Sequence, residues 1–187
     1  MREPTTDVRF PPVAANAHDY PRDMRTTPQH VRRTSSPLGR IEIGSDGESI
    51  VSLVIESGHS LPNDHLPDSD LPVLHSAVDQ LDEYFGGRRR SFELPLVLRG
   101  TAFQLEIWNE LQKVGFGETT SYGALGAATG RLRSGRPIGG AVGANPIPLI
   151  VGCHRVLAGD RRITGYSAGD GIATKAWLLE HEGIPHR

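Results

Sequence analysis

The chain has 187 residues, a net charge of −2 and a hydrophobic content of 37%, which allow one full domain or a small domain joined to a larger one. No apolar run reaches the ~18–20 residues that a membrane span requires, and no basic-then-apolar signal pattern opens the chain, so we expect a cytoplasmic protein with no membrane partner. The single cysteine, Cys153, excludes an internal disulfide and a cysteine-rich zinc site. We expect neither a metal nor a cofactor.

The hydrophobic patterns predict an α+β fold in three parts. Residues 1–30 contain five prolines and no hydrophobic period, which predicts a flexible tail over residues 1–33. A small N-terminal α/β domain is predicted over residues 34–97. The remaining residues, 98–187, are predicted to form a mostly helical C-terminal domain.

Within the N-terminal domain, residues 34–57 predict two strands joined by a turn at Ser45-Asp46-Gly47. A polar, proline-bearing loop follows. Pro72 in a first turn and a one-sided apolar pattern then predict a helix over about 72–85. Alternating apolar residues over 92–98 predict one more short strand.

The C-terminal domain is rich in helix signals. Thr101–Gln104 matches a capping box at the start of a helix. Ser121 is a good cap for a helix that ends at Gly130, and Ser134 for a second short helix with Pro137 in its first turn. Two short helices around such a turn predict a helix-turn-helix, although an ordinary helical hairpin has the same pattern.

The second of these helices, residues 135–144, is unusually rich in glycine, and each glycine costs ~1 kcal/mol relative to alanine. Close helix–helix packing is one explanation. The other is a bare surface on which DNA can approach the backbone, with Arg136 as its one long side chain; such a surface suits the minor groove. The stretch from Arg131 to Arg162 carries six arginines and one acid, which indicates either a surface that faces a polyanion or simply solvated side chains.

The segment around the only cysteine has a distinct pattern. Leu149–Val151 predicts a buried strand that delivers Cys153 and His154 at its end. A lone cysteine is commonly an inert core residue. Cationic neighbours favour the thiolate, however, so His154 and Arg155 indicate a reactive thiol.

Asn145–Val156 resembles the active-site segment of the O6-alkylguanine-DNA alkyltransferases, also called methylated-DNA–protein-cysteine methyltransferases. Ser121–Gly123, Thr164–Ser167 and Lys175–Glu182 resemble other segments of that family in the same order, so the resemblance covers roughly residues 34–184. It implies a ribonuclease-H-like N-terminal domain followed by a helix-turn-helix domain. It also implies DNA repair by direct, stoichiometric transfer of an alkyl group from O6-alkylguanine, and from O4-alkylthymine, to Cys153.

The resemblance also implies partners and residue roles. The partner is double-stranded DNA, bound through its minor groove by a monomer that can assemble along it and that associates with the nucleoid when on DNA. His154 is the base toward Cys153 through a bridging water, and Glu182 orients His154. The substrate-binding residues that it implies are Tyr122, Val156, Tyr166, Ser167 and Lys175, and the DNA-binding residues are Arg136, Gly139, Gly140, Ala141 and Asn145.

Some of these roles have specific forms. Tyr122 donates to the base ring, the backbone amide of Ser167 donates to the guanine oxygen, and the backbone near Val156 reads the amino edge of the base. Arg136 fills the stack that the flipped base leaves, and Asn145 bonds the backbone between the second helix and the cysteine. A core-packing role for Tyr122 and a phosphate contact for Arg136 are the simpler alternatives.

One residue departs from the family pattern. The family's cysteine motif begins with proline, and this chain has Gly152 there. Glycine frees the backbone, which implies either a looser, slower thiol or a local geometry that only glycine adopts. Gly152 therefore keeps one other function open, an alkyltransferase-like protein that binds lesions with weak or no transfer. A cysteine hydrolase that uses Cys153 and His154 is a separate alternative.

Overall fold

The computed structural model describes residues 27–131 and 135–187. The N-terminal half is built on an antiparallel sheet of β1 (His30–Ser36), β2 (Gly39–Ser45) and β3 (Ile50–Ile55), in that spatial order. The predicted turn after Ser45 is confirmed, because the Ser45 hydroxyl accepts a hydrogen bond from the Gly47 amide at 2.9 Å. The sheet has one strand more than the sequence pattern predicted.

The additional strand, β1, corrects the predicted extent of the tail. Residues 30–33 are strand, with Val31 paired to Gly44 and buried. This strand lacks the apolar alternation that predicts a strand, because it contains basic residues. Arg33 is accommodated in the sheet by an ion pair with the buried Glu42 at 3.1 Å. The rest of the predicted tail, residues 1–26, lies outside the described part of the chain.

One helix packs on this sheet, and a second helix leads into the C-terminal half. Helix α1 (Pro72–Phe85) has the predicted bounds, and α2 (Ala102–Gln112) begins with the predicted capping box at Thr101 and Gln104. The strand predicted over 92–98 is wrong. This segment runs along the edge of β3 with a single bridge, Ile50 to Leu96, because Pro95 has no amide hydrogen with which to continue a ladder.

The C-terminal half consists of short elements around one core. It contains β4 (Thr120–Ser121), α3 (Tyr122–Ala128), α4 (Gly135–Gly143), a 3₁₀ turn (Cys153–Arg155), β5 (Val156–Leu157) and α5 (Ile172–His181). Ser121 caps α3 as predicted, accepting from the Ala124 amide at 3.1 Å. The predicted cap of α4, Ser134, lies outside the described residues.

The two halves share one main hydrophobic core. Its buried side chains come from the sheet, from α1 and α2, and from the segment around the cysteine, among them Ile43, Leu81, Leu111, Ile147 and Cys153. Over the described ranges, no helix combines the length and the apolar character that a membrane crossing requires.

Candidate active site

Cys153 lies at the start of a 3₁₀ turn, not at the end of a strand. The strand predicted over Leu149–Val151 is wrong: the Val151 amide bonds the Ile147 carbonyl at 2.9 Å, and Leu149 has a left-handed backbone with φ 73°. Three apolar residues in a row indicate burial but do not distinguish a strand from a buried turn. The turn brings the cysteine and the histidine after it to neighbouring faces, about 120° apart, where a strand would have opposed them.

Asn145 holds this turn in shape. Its side-chain amide donates to the Val151 carbonyl at 2.8 Å, and its side-chain oxygen accepts from the Ile147 amide at 3.1 Å. The prediction that Asn145 bonds the backbone between α4 and the cysteine is confirmed. The segment that carries Cys153 is thus tied to the C-terminal end of α4.

The cysteine is the floor of a pocket of about 550 Å³. Its side chain is 3% exposed. Several residues that the family resemblance implied line the walls with it, among them Tyr122, Gly139, Tyr166 and Ser167. The pocket therefore joins the helix-turn-helix to the thiol.

Hydrogen bonds fix the walls of this pocket. The Tyr122 hydroxyl accepts from the Thr164 hydroxyl at 3.2 Å, which links the start of α3 to the loop that carries Tyr166 and Ser167. The Ser167 hydroxyl donates to the Gly143 carbonyl at 2.7 Å and links the same loop to the end of α4. Tyr122 is half-buried: it packs against the main core and also lines the pocket, so the core-packing alternative and the predicted role toward the base both stay open.

His154 and Glu182 form a buried pair behind the thiol. His154 Nε2 lies 2.9 Å from Glu182 Oε1, and neither side chain is exposed. Glu182 caps the end of α5, 29 residues after the cysteine, as the resemblance implied for an acid that orients the histidine. Among the described residues, the other ring nitrogen, Nδ1, is buried without a hydrogen-bond partner.

Two further side-chain partners of Glu182 were not predicted. The Arg155 guanidinium binds the carboxylate through Nε and Nη2, each at 2.9 Å, and the Tyr84 hydroxyl donates to Oε1 at 2.9 Å. The pairing of Arg155 could have been predicted, because an arginine next to a buried histidine needs an acidic partner. The contact of Tyr84 could not have been predicted, because Tyr84 is 98 residues from Glu182 and its position in α1 resembles any other buried position of that helix.

The charges around the thiol differ from those expected. Arg155 is neutralised by Glu182, and burial lowers the pKa of His154 although the hydrogen bond that His154 donates to Glu182 opposes this shift. Burial raises the pKa of the Cys153 thiol, partly offset by the side chains of Asn145 and Tyr166 and by the charge of Lys175. The idea that His154 and Arg155 act as cations that favour the thiolate is therefore wrong for the free protein.

Lys175 is a buried cation beside this centre. Its Nζ donates to the carbonyls of Val156 at 2.6 Å and Gly165 at 3.2 Å. Burial lowers the pKa of Lys175 to about 8. The lysine thus ties the strand after the cysteine to the loop that forms the pocket wall, while the Val156 side chain is buried in the core.

Glutamate 182 stays ionised in this setting. Burial opposes its charge, but hydrogen bonds from His154 and Arg155 outweigh burial and lower the pKa of Glu182 below its ordinary range. The Tyr84 hydroxyl stays protonated, because burial and the Glu182 charge raise its pKa. The pair behind the thiol therefore consists of a neutral imidazole and a carboxylate that Arg155 balances.

The outer face of α4 is bare, as one of the two explanations for its glycines required. A Cβ at Gly135 or Gly140 would meet nothing within 4 Å, and one at Gly139 would make an ordinary contact with Tyr122. The glycine that allows close helix–helix packing is Gly126 of α3, where a Cβ would lie 3.0 Å from Ile138 Cδ1 of α4.

One residue placed on this DNA-binding face belongs elsewhere. Ala141 is buried, and its carbonyl accepts from Trp108 Nε1 at 2.8 Å, because position 141 falls on the side of α4 that packs against α2. Arg136 and Gly140 are exposed, and Gly139 is half-exposed beside the pocket. Ala141 is therefore not on the exposed face of α4, and the DNA contacts of the other residues of this face stay a prediction.

The arginine-rich stretch is not one continuous basic surface. Arg155 is buried against Glu182, Arg131 pairs with Glu106, and Arg162 pairs with Asp160 at 2.5 Å. Arg133 lies outside the described residues. Counting charge along the sequence overstated this surface, because Glu106 and Glu182, which neutralise Arg131 and Arg155, lie outside the counted stretch.

Gly152 has a backbone that proline could also adopt, with φ −69°. The constraint lies in the side-chain direction: a Cβ would sit 2.9 Å from both Cδ and Nη1 of Arg155. Arg155 is itself held by Glu182 and by the Val114 carbonyl, which accepts from Nη1 at 2.6 Å. The glycine therefore makes room for Arg155, and a geometry unique to glycine is not required.

Residues 31–98 match the 6-O-methylguanine DNA methyltransferase ribonuclease-like domain, and residues 102–184 match the DNA binding domain of the same family. A methylated-DNA–protein-cysteine methyltransferase of Haemophilus influenzae is 41% identical over 81% of this chain and 84% of its own length. The chain belongs to this family. The constitutive methyltransferase of Bacillus subtilis, 35% identical over 81% of this chain and 94% of its own length, is a further relative.

Solved structures of the same family share the fold. The Mycobacterium tuberculosis O6-methylguanine methyltransferase is similar with a TM-score of 0.73 at 37% identity, covering 82% of this chain and 92% of that one. The mycobacterial protein in complex with DNA gives the same TM-score at 38% identity, again over 82% of this chain and 92% of that one. The α+β architecture, with a ribonuclease-like domain before a DNA-binding domain, is thereby confirmed.

Proposed function

We propose that this protein repairs alkylated DNA by transferring the alkyl group of O6-alkylguanine, and of O4-alkylthymine, to Cys153. The observation that carries the proposal is a buried thiol on the floor of an open pocket, with the His154–Glu182 pair behind it. Membership of the methyltransferase family supports the same reaction.

The first step is removal of the thiol proton. In the free protein the thiol holds this proton firmly, because burial raises the pKa of Cys153. His154 is neutral, and its Nδ1 is the acceptor that remains once Nε2 is engaged by Glu182. We assign Nδ1 as the base, reached through a bridging water, and the charge that His154 gains is balanced by Glu182.

The second step is displacement at the alkyl carbon. The sulfur forms a bond to this carbon while the carbon–oxygen bond breaks, and the electron pair of that bond stays on guanine. The Ser167 amide donates to the guanine oxygen, and the Tyr122 hydroxyl donates to the ring as charge develops. The product is a thioether on Cys153, which leaves no thiolate for a second reaction, so each molecule reacts once.

Access to the target atom requires that the base leave the helical stack. The glycine-bearing face of α4 suits approach to the minor groove, where Gly139 and Gly140 allow close contact with the backbone. Arg136 is exposed on this face and is assigned to fill the stack that the base vacates. We propose that the protein binds duplex DNA as a monomer, that copies assemble along DNA, and that it is cytoplasmic and nucleoid-associated in the cell.

The test uses duplex DNA with one O6-methylguanine and a Cys153→Ala variant. We expect this variant to lose all methyl transfer and to keep its affinity for the lesion, because the sulfur contributes little to the DNA-facing surface. Transfer that persists in Cys153→Ala would exclude the assigned nucleophile.

The same assay separates the two other functions. A wild-type protein that binds the lesion and leaves the methyl group on DNA would be a lesion-binding protein. A cysteine hydrolase would turn over an acyl ester through Cys153 and would leave methylated DNA unchanged. We expect neither result.

A further inference from the structure

The carboxylate of Glu182 is the most heavily bonded side chain of the active centre. Within the described part of the chain it takes five hydrogen bonds: from the Tyr84 hydroxyl, from His154 Nε2, from Nε and Nη2 of Arg155, and from the Gly117 amide at 3.2 Å. Four of the five come from the C-terminal half. The fifth, from Tyr84, comes from α1 in the ribonuclease-like half.

We propose that Tyr84 is a positioning residue that keeps His154 available as the base by sharing the Glu182 oxygen that His154 uses. The proposal rests on the proposed transfer reaction and assigns the N-terminal half a part in it. The geometry is direct, since Oε1 of Glu182 takes Tyr84, His154 and Arg155 Nη2, each at 2.9 Å.

The physical reason is competition for one anionic oxygen. A hydroxyl that donates to Oε1 takes up part of the negative charge that would otherwise attract a proton to the imidazole. Without this hydroxyl, the carboxylate attracts the imidazolium more strongly, so a larger fraction of His154 carries a proton. A protonated His154 cannot accept the thiol proton, and transfer then slows on the acid side.

Tyr84 is held rigidly for this role. Its ring is fully buried and lies 5.4 Å from the Phe92 ring and 6.1 Å from the Phe116 ring, measured between centroids. Its backbone carbonyl is bonded by His181 Nε2 at 2.9 Å, which ties α1 to α5 one residue before Glu182. Ring packing and the backbone hydrogen bond therefore both fix the position of the Tyr84 hydroxyl.

The other charged groups that act on His154 are constant in the comparison below. Glu182 holds Nε2, Arg155 and Lys175 add positive charge that opposes protonation, and the Cys153 thiol lies next to it. Tyr166 also lies near the thiol, and burial keeps it protonated. A change in the titration of His154 when only Tyr84 is replaced therefore reflects the hydrogen bond that Tyr84 donates to Glu182 Oε1.

The experiment measures the rate of reaction with free benzylguanine against pH for wild type and Tyr84→Phe, which removes one oxygen and keeps the ring. We expect the acid limb of the profile in Tyr84→Phe to move upward by on the order of one pH unit. Titration of the His154 ring by NMR in the unreacted protein should give the same upward shift.

The matched control is Phe92→Leu, which disturbs the packing of Tyr84 and leaves its hydroxyl. This control should unfold more easily and keep the acid limb of wild type. An unmoved limb and an unmoved His154 titration in Tyr84→Phe would overturn the proposal, as would an equal shift in both variants. Failure of wild type to alkylate Cys153 would overturn the proposed function instead, and the NMR titration would still decide the role of Tyr84.

Discussion

The outer face of α4 and the centre around Glu182 are built in opposite ways. The face depends on side chains that are missing, since a Cβ at Gly135 or Gly140 would meet nothing. The centre depends on every partner being present, because a buried carboxylate needs its donors. Changes on the face should therefore affect DNA binding and spare the fold, whereas changes in the centre should affect both chemistry and stability.

The largest expected effect comes from opening the buried centre. Arg155→Ala leaves Glu182 without its cationic partner, and we expect the free energy of unfolding to fall by about 3–5 kcal/mol. Urea unfolding at neutral pH measures this loss of free energy. The control is Arg131→Ala, which breaks the exposed pair with Glu106 and should cost no more than ~1 kcal/mol. Equal losses in the two variants would contradict the distinction.

The same variant predicts a pH dependence. In the folded protein the pKa of Glu182 is lowered from its ordinary value of 4.5, so its contribution to stability is present above about pH 4.5 and is lost as the pH falls further. Wild type should lose stability on this acid side, and Arg155→Ala, which has less of this contribution to lose, should show a shallower slope. Parallel slopes would show that Arg155 does not stabilise the Glu182 charge.

On the DNA face, Arg136→Ala tests the flipping role. We expect it to slow repair of duplex DNA by roughly 10- to 100-fold more than it slows reaction with free benzylguanine, because only the duplex requires the base to leave its stack. Rates with the two substrates are measured side by side. Equal slowing would leave Arg136 as a phosphate contact at most.

Replacing a glycine of the same face should stabilise the fold and weaken DNA binding. Gly140→Leu should raise the free energy of unfolding by up to ~1 kcal/mol, since leucine favours the helix and has open space. It should also weaken DNA binding by about tenfold, which corresponds to ~1.4 kcal/mol. The contrasting variant is Gly126→Ala on α3, whose Cβ would lie 2.9 Å from the Arg131 carbonyl and should destabilise.

The smallest effect concerns the departure from the family motif. Gly152→Pro suits the backbone, yet its Cβ would press on Arg155, so we expect a net loss of about 1 kcal/mol in the free energy of unfolding. Gly152→Ala carries the same Cβ and should lose a similar amount. A gain in stability for the proline variant would mean that Arg155 moves aside without cost.

Much of the outer face of α4 could be predicted from the sequence, and less of the centre around Glu182. Capping residues, the bounds of α1 and the glycines of α4 are local patterns, so they were predictable one segment at a time. The role of Glu182 came from family resemblance alone. The Tyr84 hydroxyl could not be predicted, because its bond to Glu182 spans 98 residues and depends on how the two halves pack.

The wrong predictions have the same origin. The segments 92–98 and 149–151 are apolar because they are buried, and apolar character alone does not specify a strand. The charged strand β1 was missed because Arg33 is satisfied by acids that are distant in sequence. In each case tertiary contacts override the local pattern.

The measurement that tests the account most directly is mass spectrometry of the protein after incubation with excess duplex DNA that contains O6-methylguanine. We predict that every active molecule gains the mass of one methylene group, that peptide mapping places it on Cys153, and that a second addition of DNA adds nothing more. A protein that binds this DNA and returns with Cys153 unmodified, or with the methyl group on another residue, would contradict the assignment.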